Sequence, residues 1–201
     1  MSEFNENQII DSEQAEAKRG RFMSTVAEYA ELLAISMLIV VLVLTFAFRL
    51  CTVDGNSMYD TLCDKEVLVV SPLFYTPQRG DIVVIHQTSK NYNKPIVKRV
   101  IGLGGDTVVI NHDTNEITVT DKNGNTELLN EEAYLTLRSE QIYHGTTTYK
   151  VPEEKIFVLG DNRNESMDSR DGLNMGYIDS KKVLGKVLFR IAPLNRFGAI
   201  K

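Results

Sequence analysis

Seventeen residues from Leu32 to Phe48 carry no charge, and only Ser36 and Thr45 among them are polar. Tyr29 and Ala30 extend this apolar run on one side, Leu50 and Cys51 on the other, giving a stretch near the lower limit for a bilayer-spanning helix. The run exceeds the apolar core of a signal peptide, and the polar leader before it, about thirty residues, is too long for one. The pattern predicts a polar tail over 1–28, a transmembrane helix over 29–51 and a separate domain over 52–201. Lys18, Arg19 and Arg21 precede the span, whereas Arg49 and then Lys65 follow it. This Lys/Arg excess favours a single-pass protein with a cytoplasmic N-terminus and an extracytoplasmic domain.

Beyond residue 52 the pattern changes to short β-branched runs separated by turn residues. Glu66 to Val70, Asp81 to His86, Ile96 to Leu103, Thr107 to Ile110 and Glu116 to Thr120 read as strands, as do Thr147 to Val151, Ile156 to Leu159 and Val183 to Ile191. Asn123-Gly124, between Glu116 to Thr120 and Glu127 to Leu129, signals a hairpin. The fold class is therefore mainly β, an antiparallel β-sheet domain preceded by one N-terminal transmembrane helix. Residues 111–150 are more polar and rich in Asn-bearing turns, with a short helix expected at Glu131 to Leu137. They read as an excursion from the core.

Composition narrows this picture only slightly. The 201 residues, 43% hydrophobic, allow one membrane segment and one compact domain but not two large domains. The net charge of −5 argues against a nucleic-acid partner. Its excess lies in residues 1–31, where seven acids face Lys18, Arg19 and Arg21, and this leader reads as a flexible tail. From residue 52 onward 20 acids face 18 bases, which identifies no charged partner. Cys51 and Cys63 are too few for a disulfide framework and lack the close pairs of a structural zinc site, leaving at most one bridge. Arg49-Leu50 before Cys51 lacks the small residues of a lipidation site.

Candidate chemistry centres on Ser57 and Lys98. A serine hydroxyl is a poor nucleophile at neutral pH and needs a neighbouring base. Of His86, His112 and His144, only His86 lies near the motif-bearing strands, and it ends a strand run among apolar neighbours without any triad pattern. A strand-end or surface role fits it better. A lysine can serve if it is neutral, which means lowering a pKa of about 10.4 toward about 8 at a cost of roughly 3 kcal/mol. Strand alternation places Lys98 on the face of Ile96 and Val100, opposite Val97 and Arg99. This segment alone fits a buried lysine and one that snorkels to water equally well.

Four segments in order carry more: Gly55-Asn56-Ser57-Met58-Tyr59-Asp60-Thr61-Leu62, Arg79-Gly80-Asp81-Ile82-Val83-Val84, Lys98 to Asp106, and Gly160-Asp161-Asn162-Arg163-Asn164-Glu165-Ser166-Met167-Asp168-Ser169-Arg170. Each is weak alone; Arg79-Gly80-Asp81, for example, is more often a turn leading into a strand than an adhesion motif. Together they closely resemble the bacterial type I signal peptidases, from the membrane segment to about Ile191.

The resemblance implies an extracytoplasmic endopeptidase of the bacterial cell membrane that removes signal peptides from exported preproteins. Its implied partners are those preproteins, the lipid bilayer and the protein translocation machinery, and it implies neither a metal nor an organic cofactor. Ser57 matches the family's nucleophile and Lys98 its general base. Ser166 matches a serine that orients the lysine, and Asp168 with Arg170 a structural ion pair beneath the site. By motif position Val53, Met58, Leu62, Ile96 and Val97 line the pockets for small residues at the first and third positions before the cut.

Three positions depart from the family pattern. The Ser57 N–H is the natural first donor to the oxyanion, and Gly55, where some relatives place a serine that supplies the second, leaves that one to another backbone group or water. Asp60 and Gly104 replace prolines, and Asp60 puts a charge near the nucleophile that raises the pKa of Lys98 if the two lie close. Two rival readings remain. A self-cleaving repressor of related fold would need a DNA-binding domain where this chain has an apolar span. A membrane-anchored assembly factor of the same fold with little or no turnover is the second, with Asp60 and Gly104 as its only hints.

Overall fold

The computed structural model describes residues 3–73, 75–89, 92–135 and 144–200, with the side chains of 3–17, 87–89, 92, 93 and 133 outside that description. The chain divides into two compact units, Met1–Phe46 and Ala47–Lys201.

The described residues of the first unit lie within a helix, α1, that spans Glu3–Ala47. The acidic leader expected to be a flexible tail is thus helical from Glu3. Its composition explains this: Glu13-Gln14-Ala15-Glu16-Ala17-Lys18-Arg19 is an unbroken run of strong helix formers. From Lys18 to Ala47, about 45 Å at the usual helical rise, the helix is long and apolar enough to cross a membrane by length and composition. Leu32, Leu33, Ile35, Met37 and Leu38 are all exposed, so its apolar surface is not confined to one face.

The apolar stretch read as helix to residue 51 stops being helical at Ala47. Arg49–Thr52 instead form strand β1, paired antiparallel with β2 (Val67–Ser71). Leu50 and Cys51 are apolar as residues of a sheet edge, which hydropathy alone does not separate from a helix end.

The second unit is built on an eight-stranded antiparallel sheet. It contains β3 (Ile82–Ser89), β4 (Tyr92–Gly102), β9 (Lys155–Leu159), β10 (Ile178–Asp179), β11 (Val183–Ala192) and β12 (Gly198–Ala199) besides β1 and β2. The order is β1-β2-β11-β3-β4-β9-β10, with β12 also paired to β11. The remaining strands, β5 (Thr107–Asn111), β6 (Glu116–Thr120), β7 (Thr126–Leu128) and β8 (Thr146–Lys150), form a second sheet in the order β7-β6-β5-β8. The polar excursion is therefore largely this second sheet. Its inward residues Val108, Ile110, Ile117 and Val119 share a core with Ile101, Phe157 and Leu159 of β4 and β9.

At the β6–β7 hairpin, Asp121 Oδ1 accepts from Asn123 N and Asn125 N while Gly124 takes φ +87°, the chemistry that the Asn-Gly pair predicts. Of the helix expected at Glu131 to Leu137, one 3-10 turn at Glu131–Ala133 is formed; residues 136 and 137 lie outside the described residues. Strand alternation in β4 holds as expected. Ile96 and Val100 pack into one cluster with Ile156 and Val158, whereas Val97 packs into another with Val53, Met58 and Leu62.

Candidate active site

Ser57 lies in the connection between β1 and β2. Val53 N donates to Glu66 O at 2.8 Å and Lys65 N to Val53 O at 2.9 Å, closing the base of this loop. Gly55 turns the chain at φ +95°, a conformation strained for any L side chain, and its N–H donates to Asp64 Oδ1 at 2.9 Å. Met58 and Leu62, both fully buried, anchor the loop from inside. The serine is thus located by the burial of its neighbours rather than by a regular element.

Lys98 projects from β4 and donates from Nζ to Ser57 Oγ at 2.5 Å. The residue is only 3% exposed, so the buried alternative holds over the snorkelling one. Burial pushes its pKa down to about 8, the charges of Asp168 and Asp161 pull it back upward, and Arg170 presses it down again. A lysine of pKa about 8 is neutral in roughly one molecule in ten at pH 7, enough to accept a proton from an adjacent hydroxyl.

The segment from Gly160 to Arg170 supports both groups. Asn162 N donates to Ser57 O at 3.0 Å, and its Nδ2 donates to Asn56 O at 3.2 Å. A Cβ at position 160 would collide with both the Ser57 carbonyl oxygen and the Ser166 side chain, so only glycine permits this approach. Arg99, next to Lys98 in β4, grips Asp161 by two bonds, Nε to Oδ1 at 2.9 Å and Nη2 to Oδ2 at 2.8 Å, and Thr61 Oγ1 donates to Asp161 Oδ2 at 2.6 Å.

Asp168 and Arg170 form the ion pair that the motif implied, with Nε to Oδ1 at 2.8 Å and Nη2 to Oδ2 at 2.9 Å. Asp168 Oδ2 also accepts from Gly160 N at 3.1 Å. Ser166 packs at Gly160, but its buried Oγ has no hydrogen-bond partner among the described residues, so it does not hold Lys98 here. Lys98 is held instead by Ser57 and by its place in the strand.

Thr52 to Met58, Pro95 to Lys98, Glu165, Met167 and Met175 line a groove of about 260 Å³ beside the serine. Four of the expected pocket residues, Val53, Met58, Ile96 and Val97, are on its wall. Leu62 is not: its side chain is fully buried in the core cluster with Leu68 and Val70, where packing rather than ligand contact accounts for it. Glu165, Met167 and Met175 carry no sequence signal for the groove, because their place on it depends on how residues 160–175 fold against the sheet.

The departures from the family pattern also find physical reasons. The charges that act on Lys98 are those of Asp168, Asp161 and Arg170, whereas that of Asp60 acts on Arg196, whose Nη2 also donates to the main-chain Asp60 O at 3.2 Å. Gly104 lies against the backbone of Pro152 to Glu154, where a Cβ would approach Glu154 N to 3.1 Å. Arg79-Gly80-Asp81 is a turn leading into β3: Arg79 pairs with Asp106 at 2.9 Å and Asp81 accepts from Tyr75 at 2.6 Å. His112 lies beside Thr147 Oγ1 at 3.1 Å and His144 beside Asp113 at 3.5 Å, both contacts in or next to the second sheet, while His86 is exposed. Cys51 and Cys63 are free thiols.

Fold and site together define a mainly antiparallel β protein with a serine hydroxyl on a buried lysine. The family described as signal peptidase, peptidase S26, matches residues 26–192. Signal peptidase I P of Bacillus subtilis subsp. natto is 38% identical over 89% of this chain and 96% of its own length. Signal peptidase I S of Bacillus subtilis strain 168 is 37% identical over 85% and 91%. A solved signal peptidase I from Enterococcus faecalis V583 covers 56% of this chain and 97% of its own at 30% identity, with a TM-score of 0.42. The chain belongs to the signal peptidase, peptidase S26, family and is a hydrolase of the signal peptidase I class.

Proposed function

We propose that this protein is a membrane-anchored serine endopeptidase that cleaves N-terminal signal peptides from exported preproteins, with Ser57 as nucleophile and Lys98 as general base. The observation that carries this reading is the 2.5 Å contact from Lys98 Nζ to Ser57 Oγ, made by a lysine whose burial lowers its pKa to about 8. A fold kept only for assembly has no need of a lysine held at that cost, which favours turnover over the assembly-factor alternative.

In the proposed reaction neutral Lys98 takes the Ser57 proton as Oγ attacks the scissile carbonyl carbon. The Ser57 N–H faces the developing oxyanion, its peptide oriented by the bond from Asn162 Nδ2 to Asn56 O at 3.2 Å. Lys98 then gives its proton to the departing amine of the mature protein, leaving the signal peptide esterified to Ser57. Neutral again, Lys98 deprotonates a water that hydrolyses this ester. Val53, Met58, Ile96 and Val97 form a shallow apolar wall suited to small substrate side chains.

The helix Lys18–Ala47 supports a single-pass anchor, and the Lys/Arg balance supports a cytoplasmic N-terminus with the β domain outside. Tethering would raise the effective concentration of the site toward preproteins in the same membrane, including those still leaving the translocation machinery. The test is to incubate the detergent-solubilised protein with a precursor bearing an Ala-x-Ala site and to map the product's new N-terminus by mass spectrometry. Cleavage directly after the second alanine is expected; no cleavage by folded protein, or cleavage elsewhere, contradicts the proposal.

A further inference from the structure

The 3-10 turn at Glu131–Ala133 belongs to the second sheet's segment, yet its side chains reach the segment that supports the serine. Glu131 accepts from Arg163 Nη1 at 2.9 Å and from Nη2 at 2.5 Å, with both side chains buried. Arg163 Nε in turn donates to Gly160 O at 3.0 Å. Tyr134 Oη donates to Glu131 Oε1 at 2.8 Å, and the face of its ring lies 3.8 Å from the Arg99 guanidinium, which holds Asp161.

One short turn therefore touches both arginines that fix residues 160 and 161, immediately before Asn162, whose N–H holds the Ser57 carbonyl. Arg99 also follows Lys98 in β4. We propose that Glu131 and Tyr134 are positioning residues: acting through Arg163 and Arg99, they align Ser57 with Lys98 without touching substrate. A two-point buried carboxylate–guanidinium pair resists displacement, because removing one partner strands a buried charge. Small misalignments of a nucleophile and its base lower the chemical step steeply. The second sheet is in this account a structural part of the catalytic centre.

The inference rests on the Ser57–Lys98 reading, and the experiment separates the two. Single-turnover cleavage of the Ala-x-Ala precursor is measured at saturating enzyme, where the rate constant is independent of the fraction of molecules folded. Glu131→Gln and Arg163→Gln should each lower this rate constant 10- to 100-fold, with the enzyme concentration at half-saturation changed less than threefold. The double variant should be no more than threefold slower than the slower single one, since both act through one link. An unchanged rate constant in Glu131→Gln, or losses that multiply in the double variant, overturns the proposal. If Glu131→Gln does not fold, Tyr134→Phe decides: a rate constant at least threefold lower supports the link and an unchanged one overturns it. Ser57→Ala, run alongside, reports separately on the nucleophile.

Discussion

Asp168 acts on Lys98 through its charge, with no hydrogen bond joining the two: its carboxylate is taken up by Arg170 and by Gly160 N, while its field raises the affinity of Lys98 for a proton. Arg170 opposes that field. The ion pair beneath the site is thus a balance of two charges of opposite effect on the proposed base, besides a support for Gly160.

This balance predicts opposite shifts in pH dependence. For the wild type, kcat/KM should rise about tenfold per pH unit below 8 and level off above it, as Lys98 loses its proton. Asp168→Asn removes a charge that raises the Lys98 pKa, so the rising limb should move to lower pH. Arg170→Gln removes one that lowers it, so the limb should move to higher pH. Rate profiles between pH 6 and 10 check both, and shifts of the same sign would contradict the assignment.

Lys98→Met should eliminate cleavage and yet stabilise the fold. The folded pKa of about 8 lies below the unfolded value of 10.5, so the unfolded chain binds more protons between these pH values and stability rises with pH across that window. The penalty is present in full below pH 8 and gone above about 10.5. Removing the lysine should therefore add about 3 kcal/mol at pH 7, fading toward pH 10.5. Denaturant unfolding of the two proteins at pH 7 and 10 measures the difference.

Gly160→Ala should lower activity at least 100-fold and cost roughly 2 kcal/mol or more of stability, since its Cβ would meet backbone at the Ser57 carbonyl. Adding Ser166→Gly should not restore activity, because the carbonyl remains in the way. Recovery in the double variant would place the obstruction at Ser166 alone.

Asp60→Asn should leave the pH limb where it is, because Asp60 faces Arg196 rather than Lys98. A limb displaced by half a pH unit or more would contradict this.

Much of this architecture was legible in the sequence. The inner strands announce themselves because β-branched residues alternate toward two cores, as Ile96 and Val100 on one face of β4 and Val97 on the other do. The outer ends of β3 and β4 carry no such signal, because Gln87↔Lys94 and Thr88↔Asn93 pair where no hydrophobic pattern marks them. β1 reads as helix from hydropathy because its apolar residues continue the preceding run, and β10 and β12 are two-residue pairings set by their partners.

At the site, the motifs point to Ser57, Lys98, Asp168 and Arg170, and the fold brings Ser57 onto Lys98 and Asp168 onto Arg170. They could not give Glu131–Arg163 or Tyr134 over Arg99, since partners 32 and 35 residues apart meet only once the second sheet has packed. Leu62 is core rather than pocket wall for a related reason. A pocket wall and the core behind it use the same residue types, and only the packed structure separates them.

The central claim is that Ser57 cleaves with Lys98 as its base. Its most direct test is kcat/KM for the precursor at pH 8, compared among wild type, Ser57→Ala and Lys98→Ala, each shown to be folded by circular dichroism. Both variants should lose at least about 1,000-fold. Either folded variant within tenfold of wild type would contradict it.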